Sequence, residues 1–181
     1  MNTRLAPLLL AAGLAGSSCT PNAFEVTLDG QTTVNGDPAS AGSVLTRIPA
    51  IGSFASINLA ASDAFQQNQI TADSVRSLQV TSLDIQIVNP DTQGFDFLDE
   101  LHFIAAAGSQ EKEVAGKTGI SGLGLDAPNP TLALDVDPTA ELRDFLGAPS
   151  VSIIARGSGR VPPQDTTLQA TVKLKVVLKV F

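Results

Sequence analysis

Thr166-Thr167-Leu168-Gln169-Ala170-Thr171-Val172-Lys173-Leu174-Lys175-Val176-Val177-Leu178-Lys179-Val180-Phe181 is the stretch that decides the fold class. Apolar residues occupy every even position from Leu168 to Val180, and Thr, Gln and Lys occupy most of the odd ones. Side chains alternate faces along a strand, so this reads as one long strand with a dry face and a wet, mostly cationic face. At about 3.3 Å per residue it spans on the order of 45 Å, enough to border a whole sheet. The dry face requires a second layer, and the rest of the chain must supply it.

The upstream residues have the same character. Ser74 to Asn89 carries Leu78 and Val80 at even positions but Leu83, Ile85 and Ile87 at odd ones. That change of phase at Thr81-Ser82 predicts a β-bulge or a bend, and Asn89-Pro90-Asp91 then makes a turn. Phe95, Phe97, Leu101, Phe103 and Ala105 form the next strand, broken near Asp99-Glu100. Phe24, Val26 and Leu28 alternate before an Asp29-Gly30 turn signal, which predicts a first hairpin through Val34. Asn35-Gly36-Asp37-Pro38 reads as a loop, with strands over Val44–Ile48 and Ala55–Leu59 and a short helix capped by Ser62. Lys112 to Ala115 is a short strand at best, and Gly116 to Gly124 a glycine-rich loop or irregular edge. Leu132, Leu134 and Val136 alternate. Asp137 caps a short helix with Leu142, Phe145 and Leu146 inward. Val151, Ile153 and Ala155 form a strand, and Arg156 to Gln164 connects to the last one. Many short strands and almost no helix indicate an all-β chain, an antiparallel immunoglobulin-like or Greek-key β-sandwich with one or two very short helices.

Composition narrows the function classes. The chain has 181 residues, a net charge of −7 and 43% apolar residues, enough for one real core and not the balance of a disordered segment. The acidic balance argues against nucleic acid, which needs clustered Lys and Arg. The aromatics are eight Phe, with no Trp or Tyr, so the rings usually used to stack sugars or bases are missing.

The amino terminus reads as an export signal. Arg4 gives a positive start, Leu5 to Leu14 a short apolar run, and Ala15-Gly16-Ser17-Ser18 the small residues of a cleavage site. The apolar run is too short to span a bilayer as a helix of about 20 residues. Cys19, the only cysteine, follows at once. This arrangement resembles a bacterial lipoprotein signal, in which the Cys thiol is acylated and becomes the mature terminus. It departs from that pattern in having Gly16 where Leu is usual. Ordinary cleavage leaving a free thiol is the alternative. Residues 1–18 are thus expected to be a signal peptide, 19–23 the lipidated Cys and a tether, and 24–181 one domain. Removing residues 1–18 takes away Arg4 and no acid, so the charge moves from −7 to −8. The location this implies is the bacterial cell envelope, at the outer membrane, with the membrane as partner through lipid on Cys19.

The segment from about Val80 to Val161 resembles the late-embryogenesis-abundant (LEA14) and water-stress (WHy) β-sandwich family. The residues that carry the resemblance are Leu83 to Val88 running into Asn89-Pro90-Asp91, then Phe95 to Phe103, Leu132 to Val136 and Val151 to Ala155. It implies an immunoglobulin-like sandwich with a non-enzymatic, protective or binding role.

Chemistry is sparse. Ala115-Gly116-Lys117-Thr118 has the Gly-Lys-Thr of a phosphate loop, but Glu111 stands where its first glycine belongs. There is no Gly-x-Ser-x-Gly elbow. His102 is the only histidine, on the strand face opposite the phenylalanines; with a serine and Asp99 it is the only basis for a hydrolase reading, and a surface role is the plainer one. Asp91, Asp96 and Asp99, with Glu100, are hard oxygen donors close in sequence and are the candidate Ca²⁺ ligands; a solvated acidic turn is the plainer reading, and no metal is expected. No catalytic set and no cofactor is expected. The expected function is a non-catalytic, envelope-anchored binding or structural domain with an unknown envelope protein or ligand as partner. The alternative is a secreted ligand-binding module, Ca²⁺-dependent or not, with Asp91–Glu100 and Gly116–Gly124 as rims.

Overall fold

The structure, a computed structural model, describes residues 22–45, 65–66, 70–148 and 151–179. The signal segment, Cys19, the tether before Asn22, most of Val44–Ile48, Ala55–Leu59 and the Ser62 cap lie outside the described residues, and the last tether residue, Ala23, already belongs to the first strand.

Among the described residues nine strands form two antiparallel sheets. They are β1 (Ala23–Val34), β2 (Val44–Leu45), β3 (Val75–Asn89), β4 (Leu98–Ala107), β5 (Gln110–Thr118), β6 (Thr131–Ala133), β7 (Asp135–Val136), β8 (Ser152–Arg160) and β9 (Thr166–Leu178). One sheet has the order β1-β9-β3-β6 and the other β2-β8-β4-β5-β7. Apart from the two-residue β7, this is the order of a double Greek-key jelly roll, in which every connection but the β4–β5 hairpin passes between the sheets. Of the Greek-key sandwiches that alternation allows, this one makes the first strand a neighbour of the last. An immunoglobulin sandwich instead keeps its first two strands side by side.

The long final strand is central in its sheet. β9 pairs with β1 from Ala23–Val177 to Val34–Thr166, and with β3 along its other edge. Its even residues Leu168, Ala170, Val172, Leu174 and Val176 are buried. They face Leu101, Phe103, Ala105, Val114, Ile153 and Ala155 of the other sheet in one core. The phase change in β3 is a register shift between Val80 and Ser82, as the sequence implied.

Five expectations are corrected. Asp29-Gly30 is no turn: β1 runs straight through it. Gly30 is buried opposite Ala170, and Asp29 Oδ1 accepts from Thr171 Oγ1 at 2.6 Å, so pairing with a long neighbour overrides the local signal. Phe95–Phe97 is a 3-10 turn with both rings buried, and β4 begins at Leu98. Lys112–Ala115 belongs to the nine-residue β5, which takes Gly116, Lys117 and Thr118 out of the expected loop. β8 continues through Gly157 and Gly159 to Arg160, leaving only five residues before β9. Asp137 does not cap the expected helix: the 3-10 helix there begins at Arg143 with Leu142 at its N-cap, and Asp137 closes a separate turn before it, its Oδ1 accepting from Thr139 N (2.8 Å) and Oγ1 (2.6 Å). Leu142, Phe145 and Leu146 are buried as expected. Among the described residues no helix is long and apolar enough to cross a membrane.

The outer face of the five-stranded sheet hides one large apolar residue. Ile104 points away from the core yet is only 8% exposed. Register places Arg156 beside His102 and Glu111 beside Ala106. The Arg156 Nη2–Glu111 Oε1 ion pair (2.8 Å) therefore crosses β4 over Ile104. An exposed pair contributes little by charge, so its main effect is the cover given by the arginine stem. Arg156→Ala is expected to cost about 1 kcal/mol in thermal denaturation. Arg156→Met should recover most of that; equal losses in the two variants would instead assign the effect to the charge.

Candidate functional site at the loop end

Jelly-roll winding gathers four connections at one end of the sandwich: residues 35–43, 90–97, 119–130 and 161–165. Each is short and tied to the next by hydrogen bonds. Asp37 N–H donates to Pro162 O (3.0 Å), Gly42 N–H to Val161 O (3.1 Å) and Gly36 N–H to Asp165 Oδ1 (2.9 Å). Gln164 Nε2 donates to Thr92 Oγ1 (3.1 Å), and Phe95 N–H to Leu125 O (3.0 Å). Gly94 is required here, because a Cβ would lie 2.9 Å from Leu125 O. Asp37 closes its own loop by accepting from Ser40 Oγ (2.6 Å) and Ala39 N (2.9 Å). The Ser40 hydroxyl, then the Ala39 amide, hold its carboxyl below the usual carboxylate value.

Between the second, third and fourth loops lies an open hollow of about 430 Å³, with Thr92, Gln93, Asp96, Asp126 and Pro163 in its wall. Gln93 is 6% exposed. Its Nε2 donates to Asp96 Oδ1 (3.1 Å) and Gly94 O (3.0 Å), which fixes the Asp96 carboxylate at the rim. Two carboxylates, a hydroxyl and carbonyls form a donor-poor surface suited to cationic or hydrogen-donating ligands. The four loops contain Asp37, Asp91, Asp96, Asp126 and Asp165 and no Lys or Arg.

The predicted rims are partly joined. Asp99 Oδ1 accepts from Ser121 Oγ (2.9 Å), which links the 90s segment to the glycine-rich loop. Asp96 faces the hollow, Asp91 is exposed in the preceding turn, and Asp99 is turned to Ser121. Among the described residues no three His, Cys, Asp or Glu side chains are gathered to hold a metal ion, so Asp91, Asp96 and Asp99 do not form one ligand set. Asp126 and Pro163 were not legible as site residues. They reach the hollow through pairings of strands distant in sequence, and no local pattern marks them.

His102 lies on the outer face of β4, over Gly116, where a Cβ would be 2.7 Å from its Nδ1. Nδ1 is 2.9 Å from Glu113 Oε1, and Nε2 is 4.0 Å from Glu100 Oε2. The serine of this cluster, Ser158, donates to Glu100 Oε1 (2.9 Å) rather than to the ring. The side chains thus make a Glu–His–Glu row with a serine at its end, not a Ser–His pair, and Asp99 is engaged elsewhere.

At the opposite end, Glu141 forms a clamp. Its Oε1 accepts from Leu78 N (2.7 Å) and Arg143 N (3.1 Å), and its Oε2 from Ser77 Oγ (2.7 Å). This end also holds the start of β1 and the end of β9, where Leu178 N–H donates to Asn22 O (2.8 Å).

No protein-family model matches this chain, and none of the curated proteins matches it. Among solved structures it is similar to a decameric BFDV capsid protein, at 13% identity and a TM-score of 0.40, covering 87% of this chain and 98% of that one. It is also similar to a 60-mer BFDV capsid protein, at 11% identity and a TM-score of 0.35, covering 86% and 93%. Both likenesses are too slight to carry an argument, and the jelly-roll order rests on the strand pairing itself.

Proposed function

We propose that the protein is a non-catalytic, envelope-anchored lipoprotein whose sandwich presents its loop end to a ligand or partner. The observation that carries this reading is the place of β1. It starts at Ala23, four residues after Cys19, and runs to Val34 at the foot of the four-loop cluster. Twelve extended residues span about 40 Å. Lipid on Cys19 would hold the β1-start end against the membrane and direct the hollow between Asp96 and Asp126 away from it. The signal-like residues 1–18 and the solitary Cys19 support anchoring. The absence of a legible catalytic set in the sequence supports a binding or structural role.

The second reading is a secreted ligand-binding module without the lipid, which the acidic, base-free hollow favours. Intact mass of the mature protein from membrane and soluble fractions, beside a Cys19→Ala variant, separates the two. The expected result is a membrane-bound chain that begins at Cys19 with added acyl mass, and a variant that lacks it. A soluble, unacylated chain cleaved elsewhere would overturn the anchor and leave the secreted module.

A further inference from the structure

The loop end contains the sequence's only Asn-Gly pair, Asn35-Gly36. Asn-Gly is the dipeptide most open to deamidation, because glycine puts no side chain in the way of its own nitrogen. The fold does not permit another residue at this position: a Cβ on Gly36 would run into the backbone of Gln164. Asn35 is exposed, so water reaches its amide. The attacking atom, by contrast, is held. Gly36 N–H donates to Asp165 Oδ1 at 2.9 Å.

We propose that Asn35 is a self-modification site, and that the Asp165 carboxylate is the brake on it. The Gly36 nitrogen must lose its proton and attack Asn35 Cγ. The new C–N bond forms as ammonia leaves, giving a five-membered succinimide. Water then opens the ring at either carbonyl and leaves aspartate or isoaspartate, with no oxidation or reduction. An N–H that donates to an anionic oxygen is harder to deprotonate, and the same bond turns the nitrogen toward Asp165 and away from Cγ. Local opening of the contact between residues 35–43 and 161–165 releases the brake. The product adds a negative charge beside Asp37 and Asp165, in loops that contain no Lys or Arg, so each event weakens the loop contact that had restrained it. Asn89 and Asn129 precede prolines, which have no N–H to lose, and they are internal controls.

The test is peptide mapping of the full chain incubated at neutral pH, reading the small mass gain of NH replaced by O and the isoaspartate content at Asn35. The folded chain is expected to react several-fold more slowly than the chain unfolded in guanidinium at the same pH. Asp165→Ala should raise the folded rate several-fold, whereas Asp165→Asn, which keeps an acceptor oxygen but loses the charge, should fall between Asp165→Ala and the parent. A folded chain as fast as the unfolded one, or an Asp165→Ala chain that folds and reacts at the parent rate, overturns the proposal. If Asp165→Ala does not fold, hydrogen exchange of the Gly36 amide in the parent chain decides. Protection supports the brake, and free exchange removes it.

Discussion

Gly159→Ala is expected to abolish folding at ordinary temperatures or to cost more than about 3 kcal/mol. Gly159 sits near the end of β8, paired with Leu98 on one side and Leu45 on the other. A Cβ there would run into the carbonyl oxygen of Phe97 and lie 2.9 Å from Leu98 Cα. Both are backbone atoms at the start of β4, so no side-chain rotation relieves the clash. Relief requires β4 and β8 to separate where the 3-10 turn Phe95–Phe97 enters the strand, and there Phe95, Phe97 and Leu98 are all buried. The loss would extend to the loop end, because Phe95 N–H anchors the 119–130 loop through Leu125 O. Circular dichroism and guanidinium titration of the variant check this. A Gly147→Ala control should be near neutral, since a Cβ at Gly147 meets nothing within 4 Å. Parent-like stability in Gly159→Ala would mean that the sheets adjust far more freely than close packing allows.

Glu141→Ala is expected to lower stability by about 2 kcal/mol, or roughly 4–8 °C in melting temperature for a domain of this size. The carboxylate accepts three hydrogen bonds, one of them from the backbone of buried Leu78. Its removal leaves those donors at the first register shift of β3 without partners. Partial solvent access at Glu141 keeps the estimate toward the low end of what three charge-assisted bonds would suggest. Burial pushes the Glu141 carboxyl up. The Leu78 amide, then the Ser77 hydroxyl and the Arg143 amide, together outweigh it and hold the group below its ordinary value of 4.5. A carboxyl depressed in the folded state stabilises fully above its unfolded value and loses that contribution as the pH falls through the folded one. The gap between parent and Glu141→Ala should therefore be full at pH 7 and narrow progressively below about pH 4.5. Asp137, lowered mainly by the Thr139 hydroxyl and then its amide, weakens in the same direction. A gap that does not change with pH would show that Glu141 acts through its stem rather than its charge.

How much was legible depended on the range of the interactions. Alternation over Leu168–Val176 and the phase change at Thr81-Ser82 are local consequences of a period-two backbone that buries one face. Both were readable, and both appear in β9 and β3. Element ends were less legible where glycine and proline marked turns that pairing overrode. Asp29-Gly30 and Gly157–Gly159 stay extended because a long neighbour satisfies their backbone, and at Gly159 a side chain would collide with the start of β4.

By itself the sequence determined an antiparallel sandwich with β9 as a dry-faced strand, a loop at Asn35-Gly36 and a turn at Asn89-Pro90, because each follows from residues within one strand's reach. The tertiary structure decided which strands are neighbours, hence the jelly-roll order and the meeting of residues 35–43, 90–97, 119–130 and 161–165 at one end. It also decided that Asp96 shares a hollow with Asp126, that Asp99 turns to Ser121, and that Gly36 lies under Asp165. These are contacts between segments far apart in sequence. Their partners are chosen by which sheet edge each strand fills, and no local periodicity encodes that choice.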